Sequence, residues 1–170
     1  TSFFYPISTV GSHVSAVPNH QTGRVTSIRT RGTVAMAGSF GYELDLNKLN
    51  EEEKKEVTEQ VKTYKKYQKL IYNSPYYRLF ETGRDGLSAW EFVAEDGSEA
   101  LVQGVVYRAE PNALRKRIRL TGLLENEKYR VEGEEQIYSG TALMTGGILL
   151  PEIKGDDVSV QIHLKRLSTL

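Results

Sequence analysis

The chain has 170 residues, enough for one domain with a sizeable core or for one small domain plus part of another. Its 22 basic and 22 acidic residues cancel, so no global field gathers nucleic acid or anionic lipid. No cysteine is present, which excludes a disulfide framework, a thiolate metal site and a cysteine nucleophile and fits a reducing compartment such as the cytoplasm, and no stretch approaches the roughly 20 apolar residues that span a bilayer.

In chain order, the opening TSFFYP predicts a short buried strand. The run GSHVSAVPNHQTGR, Gly11 to Arg24, gathers two histidines, an asparagine and two serines without a period and predicts a loop. GRVTSIRTRG predicts a short helix or turn, and TVAMAGSF a second buried strand. From Asn50 to Tyr72, Val57, Val61, Tyr64 and Ile71 fall at helical spacing with Lys and Glu on the other faces. Asn50 with Glu53 forms a capping-box pair, and Asn73-Ser74-Pro75 stops the helix. Strand, helix, strand, helix is the unit of a parallel α/β fold. Two such units cannot close a barrel, so the first half predicts the tail of a larger domain.

After Pro75 the period changes to two. SAWEFVAEDGSEALVQGVVYR predicts two strands joined at Asp96-Gly97. ALRKRIRL, KYRVEG and QIYSGTALMTGGILLP continue the series of short strands. In VSVQIHLKRL, Val158, Val160, Ile162 and Leu164 share one face, expected to point inward, and Ser159, Gln161, His163 and Lys165 the other. Many short strands with no second long helix predict an antiparallel β-sandwich.

Several groups invite a chemical reading. Glu43 and Asp45 in GYELD would point the same way on an extended chain, about 6.6 Å apart, as an acid and a nucleophile would; carboxylates before a helix more often bond loop amides. His13 and His20 lack a third ligand and match no zinc spacing, so no metal is expected. Arg115, Arg117 and Arg119 alternate along a strand and predict a solvated arginine face.

GSHVSAVPNHQTGR and the following RGTVAMAGSFGYELDLNKLNEEE together resemble the late part of the bacterial α-galactosidases of glycoside hydrolase family 36. The resemblance implies an α+β chain: residues 1–74 as the last two βα units of an incomplete (β/α)8 catalytic barrel, and residues 75–170 as a carboxy-terminal antiparallel β-sandwich. It implies a parent enzyme that hydrolyses terminal α-galactosides with retention, through two carboxyl groups roughly 5 to 5.5 Å apart. In the family both are aspartates in KWD-type and SD-type motifs, which do not occur in this sequence. The catalytic pair is therefore expected before Thr1, and this chain alone is expected to be inactive. Barrel logic places a loop after TSFFYP on the rim where active sites are built, so Gly11, Ser12 and His13 are the candidate sugar-binding residues. No cofactor is implied; the expected partners are α-galactoside sugars, the rest of the barrel and further copies in a homo-oligomer. The alternative is a carbohydrate-binding β-sandwich module, for which Trp90 would have to face solvent as a stacking ledge.

Overall fold

The computed structural model describes residues 3–79 and 86–168; Thr1 and Ser2 of the first expected strand lie outside them. Two compact units divide the chain, Thr1–Tyr72 and Asn73–Leu170.

In the first unit the order is strand, helix, strand, helix, but both strands lie further along the chain than expected. Phe3 and Phe4, 79% and 89% exposed, belong to a turn that runs into a 3-10 turn at Ile7–Thr9. The strand is β1, Gly11–Ser15, followed by helix α1, Ile28–Ala35, and strand β2, Ser39–Glu43. β1 and β2 pair in parallel, with Ser12 opposite Phe40 and Ser15 opposite Glu43. TVAMAGSF is thus divided: Thr33 to Ala35 finish α1, and only Ser39 and Phe40 enter β2. Ser27 decides this, because its hydroxyl accepts from the Thr30 amide and caps α1.

Helix α2, Glu51–Asn73, follows. Its capping box is formed as expected: the Glu53 amide donates to Asn50 Oδ1 at 2.9 Å, and the Asn50 amide donates to Glu53 Oε2 at 3.1 Å. Tyr64, Tyr67, Leu70 and Ile71 are buried, and Val57 packs partly buried against the cluster of Val14, Ile28 and Ala35. The helix also carries a buried Gln60, whose Nε2 donates to Ile28 O at 3.0 Å while its Oε1 accepts from Tyr42 Oη at 2.8 Å. One amide thereby ties α1, α2 and β2 together. Gly32 makes room for it, since a Cβ there would lie 2.3 Å from the Gln60 amide.

The second unit holds strands β3 (Tyr76–Arg78), β4 (Leu87–Val93), β5 (Glu99–Val106), β6 (Arg117–Ile118), β7 (Lys128–Val131), β8 (Ile137–Ser139), β9 (Ile148–Leu149) and β10 (Val158–Arg166). Six of them form one sheet in the order β3-β4-β5-β10-β7-β8, with every pairing antiparallel. β6 and β9 form a separate antiparallel ladder. The β4–β5 hairpin turns where predicted: Gly97 adopts φ +64, and its carbonyl accepts from the buried Tyr129 hydroxyl at 2.9 Å.

Leu87, Val93, Val102, Val106 and Leu164 on the sheet share one buried cluster with Ile118, Leu143, Ile148 and Leu150 from the ladder region. Within QIYSGTALMTGGILLP, expected to be strand, Gly140–Thr145 forms the short helix α3, because the Ser139 hydroxyl accepts from the Ala142 amide. The second layer is therefore a short ladder and one helical turn rather than a run of strands. On β10, Val160 and Leu164 are buried as expected, but His163 on the opposite face is buried too. What distinguishes it is its partners: the Glu132 and Glu99 carboxylates meet its two ring nitrogens, whereas Gln161 and Lys165 on the same face are exposed as expected.

Candidate functional site

Side chains alternate along a strand, so each strand of the first unit has two faces. On β1, Val14 is fully buried against the helix-side cluster, and on β2, Phe40 and Tyr42 pack on the same cluster. Ser12 shares the face of Val14; a Cβ on Gly38 would lie 3.1 Å from its own Cβ. The other face carries Gly11, His13 and Ser15 from β1 and Ser39, Gly41 and Glu43 from β2. The three sugar-binding candidates are thus split. Gly11 and His13 share a face, Ser12 points away from it, and all three lie within a strand rather than in the loop predicted there.

On that open face His13 Nε2 lies 2.5 Å from Glu43 Oε2, with the two side chains 51% and 73% exposed. Glu43 ends β2, two residues beyond Gly41, the partner of His13 in the register. The pair therefore leans toward the carboxyl ends of the strands. Asp45 takes no part: its Oδ1 accepts from the Asn47 amide and side chain, both at 3.0 Å, and caps the 3-10 turn Leu46–Lys48. The two carboxylates of GYELD thus do separate work.

The segment that leaves β1 is a closed loop. Asn19 Oδ1 accepts from the amides of Gln21 and Thr22, and the Asn19 amide donates to Arg24 O at 2.9 Å. Arg31 secures it, donating from Nη1 to Ser15 O and from Nε to Thr26 O. Burial lowers the pKa of Arg31, partly offset by Glu53. His20 is exposed on this loop. Among the described residues, no group of three or more His, Cys, Asp or Glu is placed to hold a metal ion.

In the second unit, Trp90 is only 9% exposed. Its Nε1 donates to Gln103 Oε1 at 3.0 Å, and Gln103 Nε2 donates to Gln161 Oε1 at 2.9 Å. This polar ladder crosses β4, β5 and β10 and leaves no indole ledge for a sugar. The arginine face is solvent-exposed as expected, with Arg115, Arg117 and Arg119 exposed and Ile118 and Leu120 buried; Arg115 also donates twice to Leu150 O, and Arg117 to Gly147 O.

Two ionisable features escaped the sequence reading. His163 has its Nδ1 2.8 Å from Glu132 Oε2 and its Nε2 2.9 Å from Glu99 Oε2, linking β10 to β5 and to the turn that follows β7. Glu91 lies fully buried on β4, with the Thr121 amide donating to Oε1 and Oε2 unpartnered. A glutamate flanked by Trp90 and Phe92 was the available signal for the second.

Comparison with known proteins adds the family. The Melibiase model matches residues 1–74, and the model of the glycosyl hydrolase family 36 C-terminal domain matches residues 87–164. The chain belongs to glycosyl hydrolase family 36. Within that family it is 53% identical over 151 residues to the bifunctional alpha-galactosidase/sucrose kinase AgaSK of Mediterraneibacter gnavus, covering 89% of this chain and 16% of that protein. It is 48% identical over 165 residues to alpha-galactosidase AgaA of Geobacillus stearothermophilus, covering 97% of this chain and 22% of that protein. The solved galactosidase domain of AgaSK superposes with a TM-score of 0.95 at 49% identity, over 98% of this chain and 23% of that one. The match thus includes the C-terminal domain of family 36, and the chain spans less than a quarter of the length of these relatives.

Proposed function

We propose that this chain is the carboxy-terminal part of an α-galactosidase that releases terminal α-linked galactose with retention. The reading rests on its similarity, over nearly all of its length, to alpha-galactosidases, variants of one of which are solved with raffinose and with stachyose. Residues 1–74 supply the last two βα units of a (β/α)8 barrel, and residues 75–170 a β-sandwich. A parallel pair of strands with helices on one face only needs neighbours on its other face and at both edges, which supports that assignment.

Retaining hydrolysis needs a nucleophilic carboxylate and an acid about 5 to 5.5 Å away. Glu43 is engaged by His13 and Asp45 by a turn, so the catalytic pair is assigned to portions of the enzyme that this chain does not span. What the chain contributes is part of the wall and rim of the cleft, with Gly11 and His13 on the cleft-facing side. The enzyme works in the cytoplasm as a homo-oligomer, without a cofactor. The carbohydrate-binding reading is disfavoured by the burial of Trp90.

The test is direct. The purified chain should leave a chromogenic α-galactoside unhydrolysed above background, while the intact enzyme that carries it releases α-galactose as the first-formed anomer. Turnover by the chain alone would overturn the assignment of the catalytic pair; an intact enzyme inert on α-galactosides would overturn the function.

A further inference from the structure

We infer that Glu43 binds a hydroxyl of the galactosyl ring and that His13 is the positioning residue that aims it. The inference rests on the α-galactosidase reading and goes beyond it by naming a contact.

Barrel interiors are ordinarily filled by layers of branched apolar side chains. The face of β1 and β2 that is turned from the helices carries none: Gly11, His13 and Ser15 stand beside Ser39, Gly41 and Glu43. The strands therefore present small and polar side chains around one charged pair.

With Nε2 2.5 Å from Oε2, His13 is placed to donate to Glu43 from that nitrogen. The bond engages one carboxylate oxygen of Glu43 and sets the direction of the other. Oε1 is left as an anionic acceptor at the carboxyl end of β2, the end at which barrel enzymes bind substrate. Sugar hydroxyls are the donors such an acceptor recognises, and a hydrogen bond to a charged group is stronger than one between neutral groups.

The experiment uses the intact enzyme and a series of p-nitrophenyl α-galactosides, each lacking one ring hydroxyl. Glu43→Gln should raise KM for the parent substrate about tenfold or more, and on one deoxy substrate the variant and the wild type should have the same kcat/KM. His13→Ala should reproduce that selective loss in weaker form, and His13→Gln, which keeps an N–H donor within reach, should recover most of it. Uniform losses across all the deoxy substrates with a lowered melting temperature would show a purely structural pair and overturn the inference, as would unchanged kinetics. A wild-type enzyme inactive on every α-galactoside would overturn the functional reading and this contact with it.

Discussion

Glu91 is a carboxyl group placed where water cannot reach it. Desolvation raises its pKa from the ordinary 4.5 to about 8, against a smaller opposing effect of the bond from the Thr121 amide. The folded chain therefore keeps a proton that the unfolded chain releases above about pH 4.5. This group's effect on stability is least unfavourable below that pH and grows steadily more costly as pH climbs toward 8, beyond which it levels off. Glu91→Gln should flatten that slope, gaining on the wild type by a few kcal/mol between pH 5 and 8 in urea titrations; parallel curves would contradict the buried neutral carboxyl. His163 gives a second case. With both ring nitrogens against carboxylates, His163→Leu should cost about 1–3 kcal/mol, and Glu99→Gln in the same background should return part of the loss. Neither role was legible in the sequence. Alternation along VSVQIHLKRL assigns His163 to a wet face, and Gln161 and Lys165 on that face are exposed; what singles His163 out is its meeting with Glu99 and Glu132, far apart in the chain, which no local pattern reveals.

At the scale of elements, legibility followed periodicity. Helix α2 and the β4–β5 hairpin were readable because a 3.6-residue stripe, a capping box and an Asp-Gly turn are local signals. Asn50→Ala should therefore cost about 1 kcal/mol, measured by chemical denaturation, through loss of the bond to the Glu53 amide. The strands β1 and β2 were misplaced because aromatic TSFFYP looked more strand-like than polar GSHVS. Phe4 lies 89% exposed in a turn, whereas Val14 is buried on one apolar face, which its four small or polar neighbours in the strand do not prevent. The approach of α1 to α2 was equally unreadable, since nothing local says that Gly32 faces Gln60. Gly32→Ala should break the bond that Gln60 donates to Ile28 O and the one it accepts from Tyr42 Oη and lower stability by about 1–3 kcal/mol; an unchanged denaturation midpoint would mean that Gln60 can swing aside without loss.

At the scale of the whole molecule, the two units differ in what they can bury. The first has a sheet of only two strands, paired in parallel and backed by helices on one face, while the second has six strands around a continuous apolar cluster. Hydrogen exchange should therefore find the amides of β4, β5 and β10 protected longer than those of β1 and β2 in the isolated chain; the reverse order would show that the first unit is stable without further strands. The place of β10 carries one more consequence. The strand that lies between β5 and β7 is made after both of them, so during translation these two present bare edges until the ribosome has released Val158 to Arg166. A nascent chain stalled before that segment would offer both edges to neighbouring polysome products, and a premature stop codon there would yield an aggregating polypeptide rather than a shortened but soluble one.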